Sequence, residues 1–249
     1  MTSRMRGGKP GFVVKARTAT RAGKPRHERL ITMTVSDHTV AIIGTGNIGS
    51  RLAANFAAGG QDFLLADRDQ DTARKAAADL DGHAEAVSID AAVDRADVLV
   101  VALWLDAFEE LITAYGGRLA GKVIVDPSNA IGPDGSGGYR KTIGAQESSG
   151  QILAGRLPPG ARLVKAFGTL SAPTLTAAAR REPDRAVQFY AADDAAAGDV
   201  VAGLIRAGGY EPVRVGGLDQ SIRIEMFGDL HEVGGLGRAV TKSEALAAL

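Results

Sequence analysis

A glycine-rich loop between an apolar run and a helical pattern restricts the possible folds of this chain more than any other feature. Residues 40–43 are apolar, and the next six residues carry glycine at the first, third and sixth positions, Gly44, Gly46 and Gly49. An alanine-rich stretch follows as far as Gly60. In a strand–turn–helix unit, the first glycine allows a tight turn, the second lets backbone N–H groups approach a pyrophosphate, and the third lets helix and strand pack closely. The pattern therefore predicts a dinucleotide-binding unit.

The chain beyond this loop alternates short β-branched or leucine-rich runs with helical segments. This alternation is typical of parallel strands joined by crossover helices. The predicted strands lie at 39–43, 62–66, 84–87, 97–102, 122–126, 161–166, 187–191 and 211–215, and the clearest helices at 47–59, 70–80, 105–115, 173–181 and 194–207. We therefore predict an α/β fold with a Rossmann-like, doubly wound and mostly parallel sheet, in one compact lobe with a C-terminal helical segment.

The composition excludes several kinds of site. The 249 residues include no cysteine, which excludes disulfides, thiolate metal ligands and cysteine nucleophiles. Histidine and aspartate do not cluster in a metal-binding pattern, so we expect no metal site. No apolar run approaches the roughly 18 residues that span a bilayer. We therefore expect no membrane partner and a cytoplasmic location.

The N-terminal residues differ from the rest of the chain in charge. Residues 1–32 contain nine Lys or Arg and one acidic residue, whereas residues 33–249 contain 20 and 28. We expect a flexible basic extension over residues 1–34 and a dinucleotide-binding domain over residues 35–249. The favoured explanation is an inert extension with Met33 as the natural start. A basic arm for an acidic partner or nucleic acid, and a targeting segment, are alternatives, and we expect no nucleic-acid partner.

Two residues after the second predicted strand bear on the choice of cofactor. A carboxylate such as Asp67 accepts hydrogen bonds from the ribose 2′-OH of NAD, whereas an arginine such as Arg68 neutralises the 2′-phosphate of NADP. The chain has both residues, so the motif alone leaves NAD and NADP open. A glycine turn without a ligand and an S-adenosylmethionine site are the alternatives to dinucleotide binding.

Polar and aromatic residues follow the next predicted strands, where ligands of parallel sheets bind. Ala102, Leu103 and Trp104 follow the fourth strand, and the tryptophan is either a wall for a nicotinamide ring or a core aromatic. Ser128 and Asn129 follow the fifth strand and are candidates for bonding the carboxamide or the ribose. An ordinary turn is the alternative for these two residues.

A polar segment over residues 216–237 is predicted to contribute to the substrate site. Asp219 is predicted to cap a helix there. His231 is the candidate catalytic acid or ligand contact, with a structural histidine as the alternative. Residues 167–169, Phe-Gly-Thr, follow the sixth strand and are predicted to close over the site.

These motifs resemble, in order and spacing, the NADPH-dependent reductases of the deazaflavin coenzyme F420. The resemblance includes the glycine loop and the pair Asp67-Arg68. It continues through "VDPSN" at 125–129, "LVKAFGTL" at 163–170 and "VGGLDQSIRIEMFG" at 215–228, and it covers about residues 40–237. The later motifs give it most of its weight, because many dehydrogenases share the first.

The resemblance implies a compact Rossmann fold, usually dimeric, in which hydride passes directly between the nicotinamide and the deazaflavin. It implies NADP as cofactor, with NAD possible because of Asp67, F420 as a possible co-substrate, a small-molecule hydride acceptor and a homodimer. It also implies which residues border the cofactor: Thr45, Asn47 and Ile48 at the pyrophosphate, Arg68 at the 2′-phosphate, and Ala102, Leu103 and residues 126–129 at the nicotinamide.

Two departures from the family pattern keep other functions open. The family typically has a neutral residue at the position of Asp67 and asparagine at the position of Gly168. One alternative is an NAD(P)H-dependent reductase of a small carbonyl or imine compound, which needs a proton donor such as Tyr139, His231 or Asp229. Others are a non-catalytic NAD(P)-sensing protein and a methyltransferase.

Overall fold

The computed structural model describes residues 37–249, so the predicted extension over residues 1–34 lies outside the described part of the chain. Strands and helices alternate through most of this part. The strands are β1 (Val40–Ile43), β2 (Phe63–Ala66), β3 (Ala84–Val87), β4 (Val98–Val101), β5 (Val123–Asp126), β6 (Ile131–Pro133), β7 (Tyr139–Lys141), β8 (Arg162–Ala166), β9 (Val187–Ala192) and β10 (Glu211–Gly216). The α-helices are α1 (Gly49–Ala57), α2 (Gln70–Ala78), α3 (Ile89–Arg95), α4 (Leu105–Tyr115), α5 (Ser149–Arg156), α6 (Ala172–Ala177), α7 (Ala195–Ala207), α8 (Ser221–Ile224) and α9 (Lys242–Ala248).

Eight strands form one sheet in the order β10-β9-β8-β5-β4-β1-β2-β3. The six strands from β8 to β3 are parallel, β9 is antiparallel to β8, and β10 is parallel to β9. The strand order reverses between β1 and β4, which is the place where doubly wound sheets bind ligands. The predicted Rossmann-like, mostly parallel sheet is confirmed.

Helices cover both faces of this sheet. Every residue of β1, β4 and β5 is buried, which explains why these strands are apolar except for Asp126, the last residue of β5. One core lies beneath α1, α6 and α7, where Phe56 packs edge-on against Phe63 and Phe167 with ring centroids 6.3 and 5.7 Å apart. The other core lies beneath α3, α4, α5 and α9. Within residues 37–249, no helix has both the length and the apolar character needed to cross a bilayer.

The strands of the large sheet agree with the sequence prediction, but the helices α3, α5 and α9 and a hairpin were not predicted. Helices α3 and α5 are short and begin at serine caps, with Ser88 accepting a hydrogen bond from the Ala91 N–H at 3.1 Å. Strands β6 and β7 form a separate hairpin. Asp134 closes its turn by accepting from the N–H groups of Ser136 and Gly138 at 2.7 and 2.9 Å.

The prediction of a helix capped by Asp219 is wrong about the cap and about the length of the helix. Asp219 lies in a 3-10 turn over Leu218–Gln220 and its side chain caps no helix. Helix α8 ends at Ile224, and turns follow. Phe227 has a φ of +73°, so the chain folds back here instead of continuing the helix.

A buried ion cluster joins the C-terminal segment to the sheet. Lys165 on β8 is 1% exposed, and its ammonium donates to Asp126 at 2.7 Å, to the Ser149 hydroxyl at 2.9 Å and to the Ser128 carbonyl. A carboxylate oxygen of Glu225 lies 3.8 Å from the same ammonium. The cluster therefore holds one cation between two buried carboxylates.

Glu225 also occupies the N-terminus of α5. Its carboxylate accepts from the N–H groups of Ser149 and Gly150 at 3.1 and 3.0 Å and from the Ser148 hydroxyl at 2.8 Å. A helix N-terminus favours a negative charge. Burial raises the pKa of Glu225, but the charge of Lys165 and these hydrogen bonds outweigh burial and leave the pKa below its ordinary value.

Replacing the buried ammonium should strongly destabilise the fold. Lys165→Met keeps a similar volume but leaves Asp126 and Glu225 as uncompensated buried carboxylates. We expect the free energy of unfolding, measured with urea, to fall by about 3–5 kcal/mol. The matched control Lys242→Met breaks an exposed ion pair with Glu211 (2.6 Å) and should have a much smaller effect. Equal effects of the two substitutions would contradict this assignment.

Glu225 should make stability depend on acidic pH. Its folded-state pKa lies below the ordinary value of 4.5, so its stabilisation is complete above that value and is lost as the pH falls through the lowered pKa. We expect the free energy of unfolding to decrease with acidification in this range. Glu225→Gln should be less stable at neutral pH and show a flatter pH dependence. An unchanged slope, measured by urea unfolding at several pH values, would argue against this role.

Candidate functional site

The topology places the glycine loop at the carboxyl edge of the sheet, at its switch point. Gly44 follows β1, and its N–H donates to the carbonyl of Ala66 at the end of β2 at 2.8 Å. On the other side, the Ala102 N–H after β4 donates to the carbonyl of Ile43 at 2.8 Å. The loop therefore lies between the ends of the two strands that flank β1.

The three glycines of the loop have different surroundings. Gly44 has a φ of +100°, and a Cβ atom there would lie 2.6 Å from the Ala102 carbonyl oxygen. A Cβ atom at Gly49 would overlap the carbonyl group of Gly44. A Cβ atom at Gly46 would meet no atom within 4 Å. The first and third glycines are therefore required by the fold, whereas the second leaves open space beside the backbone.

Backbone donors border this open space. Helix α1 begins at Gly49 with no side-chain cap and no acidic residue in its first turn. Across the described residues, the hydrogen-bond network does not use the N–H groups of Asn47 and Ile48. The Asn47 side chain turns away to accept from Arg51 at 2.6 Å. Free N–H groups at a helix N-terminus suit an anion, so the loop fits the pyrophosphate of a dinucleotide.

Asp67 is bonded to the glycine loop. Its Oδ2 accepts from the N–H of Thr45 at 2.7 Å and from the Thr45 hydroxyl at 2.6 Å, and its Oδ1 accepts from the Asp69 N–H at 3.1 Å. Burial raises the pKa of Asp67, but the hydrogen bonds from Thr45 and Asp69 outweigh burial and hold the pKa below its ordinary value. The neighbouring Arg68 is exposed and forms no ion pair with any residue of the described range.

The residues after β4 lie beside the loop. A Cβ atom at Gly44 would lie 2.6 Å from the Ala102 carbonyl oxygen and 2.9 Å from Cδ2 of Leu103, so both residues pack against the loop. Trp104 comes next and is 60% exposed, which excludes the alternative of a core aromatic. The structure thus places an exposed aromatic ring at the same edge as the glycine loop.

The turn after β5 presents one polar group without a partner. The buried Ser128 hydroxyl has no hydrogen bond to any residue that the structure describes. Asn129, in contrast, donates to the Gly168 carbonyl at 3.0 Å and accepts from the Met226 N–H at 2.6 Å. Asn129 therefore ties the turn to two other segments, whereas the Ser128 hydroxyl has no partner among the described residues.

Residues 167–169, which follow β8 and are predicted to close over the site, include a strained backbone conformation. Phe167 is fully buried yet has a φ of +64°. A Cβ atom at Gly168 would lie 3.2 Å from the Pro127 carbonyl oxygen and 3.4 Å from that of Ser128. Residues with such φ values concentrate at functional sites. The segment packs against the turn after β5, so the structure brings these two predicted parts of the site together.

His231 lies inside the protein. It is 2% exposed, and its Nδ1 accepts from the N–H of Val233 at 2.9 Å. Burial lowers the pKa of His231, although Glu232 and the Gly168 backbone oppose this change. The imidazole is therefore neutral at pH 7 and linked to the segment after β8.

The other two predicted proton donors lie in different settings. Tyr139 is 51% exposed on β7, and Asp229 forms an ion pair with Arg223 at 2.8 Å. No hydrogen bond or ion pair joins either residue to His231.

The sequence analysis did not identify Lys165 and Glu225. A lysine within the apolar strand pattern of β8 is nevertheless a signal that the sequence contains.

Two sequence comparisons agree on one family. Residues 39–130 match the family model of the NADP oxidoreductases that depend on coenzyme F420. The F420-dependent NADP reductase of Methanothermobacter thermautotrophicus is 29% identical over 197 residues, which are 75% of this chain and 84% of that protein.

Solved structures show the same fold. Protein SMa0349 of Sinorhizobium meliloti has a TM-score of 0.72 and 30% identity, over 83% of this chain and 97% of that one. A protein of Arthrobacter sp. FB24 described as an F420-dependent NADP reductase has a TM-score of 0.63 and 23% identity, over 74% of this chain and 86% of that one. A reductive aminase of Aspergillus terreus, solved with NADPH, has a TM-score of 0.53 and 23% identity, over 74% of this chain and 56% of that one.

The matched region contains the features that the structure places at the switch point. It includes the glycine loop, Asp67, Arg68 and the turn that ends at Asn129. The reductase from M. thermautotrophicus extends the similarity over most of the chain. Residues 39–130 therefore match the F420-dependent NADP oxidoreductase family, and the chain, an NADP-dependent oxidoreductase, is similar to an F420-dependent NADP reductase over most of its length.

Proposed function

We propose that this enzyme transfers a hydride between NADP(H) and a deazaflavin or flavin-like acceptor, with coenzyme F420 as the first candidate. The acceptor binds at the carboxyl ends of the strands. The observation that carries the proposal is the open space over Gly46, bordered by the unused N–H groups of Asn47 and Ile48. The family match of residues 39–130 supports the same cofactor.

The chain's own residues would hold NADP along the edge from β2 to β5. The residues that border it in this proposal are Gly44, Thr45, Gly46, Asn47, Ile48 and Gly49 at the pyrophosphate, Asp67 and Arg68 at the adenosine ribose, and Ala102, Leu103, Trp104, Ser128 and Asn129 towards the nicotinamide. The nicotinamide supplies the hydride when NADPH is bound. The Ser128 hydroxyl is the buried group free to orient the carboxamide, whereas Asn129 acts by holding the turn in place.

Exposed aromatic rings support a flat, apolar acceptor. Trp104 follows β4. Phe227, which is 47% exposed, comes directly after Met226, whose N–H is bonded to Asn129 in the turn after the adjacent β5. Exposed apolar groups that form a contiguous patch mark a binding surface. A ring system that stacks on the nicotinamide would remove them from water. The protein then contributes mainly positioning, which accounts for about 7–11 kcal/mol of a barrier in favourable cases.

Direct hydride transfer to such an acceptor needs no strong acid from the protein. His231 is buried and neutral, which argues against a role as proton donor and for one in holding the segment after β8. A reductase of a small carbonyl or imine compound is the second candidate. The exposed Tyr139 on β7 is the observation that favours it.

The proposal includes a homodimer in the cytoplasm. Leu246 and Leu249, at the end of the chain, are 56% and 48% exposed, and a second copy would remove such side chains from water. The absence of cysteine from the sequence supports a reducing compartment.

A side chain at Gly46 should block dinucleotide binding without unfolding the protein. In Gly46→Val the new side chain enters the open space that the pyrophosphate would use. We expect at least about tenfold weaker binding of NADPH in a fluorescence titration, with an unchanged thermal midpoint. Gly155 on α5 is also surrounded by open space, so Gly155→Val is the matched control and should bind normally. Normal binding by Gly46→Val would exclude this loop as the cofactor site.

The acceptor can be identified by following NADPH oxidation with different partners. We expect turnover with a 5-deazaflavin or a flavin and none with small ketones or imines. Tyr139→Phe and Asp229→Asn should change the rate by less than about threefold, because no proton donor is needed. The second candidate instead predicts turnover of ketones or imines and a loss of about 100-fold or more for its donor variant. Tight NADPH binding with no turnover of any acceptor would indicate a sensor.

A further inference from the structure

A small cavity lies where the ends of α1 and α7 meet the segment between α6 and β9. Its volume is about 270 Å³, and its charged lining residues are Arg180, Arg185, Arg206 and Glu182. We propose that this cavity binds a compact phosphate anion, either as the free ion or as the phosphate group of a small metabolite. The site is independent of the proposed function, because no dinucleotide takes part in it.

The cavity is separate from the glycine loop. Helix α1 begins at the loop with Gly49 and ends at Ala57, and Gly59, which lines the cavity, follows that end. A nine-residue helix spans about 13 Å. The length of α1 therefore separates the cavity from the N–H groups proposed for the pyrophosphate.

Arg180 forms a fixed wall of the cavity. Its Nη2 donates to the carbonyls of Asn55 in α1 and Ala207 in α7, at 2.6 and 2.8 Å. A Cβ atom at Gly59 would lie 2.8 Å from this Nη2, and one at Gly209 would lie 2.7 Å from Cγ of Arg180. The two glycines thus leave room for the arginine. Helix C-termini carry partial negative charge, which the guanidinium of Arg180 offsets.

The other two arginines add positive charge that has no partner. Arg185 precedes β9, and Arg206 lies in the last turn of α7. The side chain of neither residue forms a hydrogen bond or an ion pair with another residue in the range 37–249. Glu182 is the acidic residue of the lining, so the cavity wall has a net charge of +2. An anion that enters the cavity therefore meets uncompensated guanidinium groups.

Volume and charge together favour phosphate as this anion. Pockets for drug-sized ligands occupy about 300–1,000 Å³, so the cavity suits a smaller molecule. Guanidinium groups present paired N–H donors that match phosphate oxygens, and such charge-assisted bonds are about twice as strong as neutral ones. A phosphate monoester carries a charge of about −1.5 to −2 at pH 7, which balances the charge of the lining.

Calorimetric titration with inorganic phosphate, in chloride buffer at constant ionic strength, tests the inference. We expect saturable binding to wild-type protein. Arg185→Gln and Arg206→Gln each remove a guanidinium, so each should weaken binding by at least about tenfold. Glu182→Gln removes the opposing charge and should tighten binding by about twofold or more.

Arg140 provides the matched control. It is an exposed arginine on β7 whose side chain, like those of Arg185 and Arg206, has no hydrogen bond or ion pair with another described residue. Arg140→Gln removes the same charge outside the cavity and should change the dissociation constant by less than about threefold. Gly46→Val, which alters the glycine loop, should leave phosphate binding unchanged.

A parallel titration with glycerol 3-phosphate distinguishes the two sources of the anion. Tighter binding of this ester than of inorganic phosphate supports the site and assigns it to a phosphorylated metabolite. Tighter binding of inorganic phosphate supports the site and assigns it to the free ion. In both cases the two arginine variants should lose affinity for the better ligand.

Four outcomes would overturn the inference. Wild-type protein could bind neither probe, or Arg185→Gln and Arg206→Gln could bind phosphate normally. A loss in Arg140→Gln as large as theirs would assign the effect to overall charge, and a loss in folded Gly46→Val would assign phosphate to the glycine loop. Thermal midpoints measured without phosphate show whether each variant is folded, which we expect because the replaced arginines are exposed. None of these outcomes decides the proposed function, which the NADPH titration tests separately.

Discussion

The contact between Gly49 and the carbonyl group of Gly44 fixes how α1 leaves β1. No side chain fits between these two backbone segments, so the helix starts directly above the end of the strand. This close approach directs the N-terminus of α1 at the point where the strand order reverses. The open space over Gly46 and the free N–H groups beside it follow from that geometry. The nucleotide half of the proposed site therefore depends on a backbone contact and not on any reactive side chain.

The other half of the site depends on buried charge. Lys165 donates a hydrogen bond to Asp126 at the start of the turn after β5. The same ammonium lies near Glu225, which is 60 residues further along the chain. Taking these charges out of water is costly, and their mutual attraction and hydrogen bonds offset much of that cost. Asn129 adds polar links from the same turn to Gly168 and Met226. Residues that would face a nicotinamide are thus positioned by groups that do not touch it.

Local patterns in the sequence predicted the fold well and the site only in part. The eight strands of the large sheet are short apolar runs between helical segments, and the close contact of Gly49 with the Gly44 carbonyl is local in sequence. The bond from Asp67 to Thr45, the two links of Asn129 and the burial of His231 depend on tertiary packing, which no spacing rule contains. The helix expected after Asp219 failed because turns replace it beyond Ile224. Lys165 was detectable, since a charge inside a fully buried strand requires a buried partner.

The reversed direction of β9 and β10 has a consequence for how such enzymes diversify. β10 runs opposite to β8, and its last residue, Gly216, lies level with Lys165 near the carboxyl end of β8, so the segment that follows β10 brings Met226, with Phe227 next to it, to the turn after β5. One contiguous stretch near the C-terminus therefore supplies these aromatic and apolar groups, separately from the nucleotide loops in the first hundred residues. Exchange of that stretch between homologues is thus a route by which a new acceptor could be acquired while the coenzyme half is inherited unchanged.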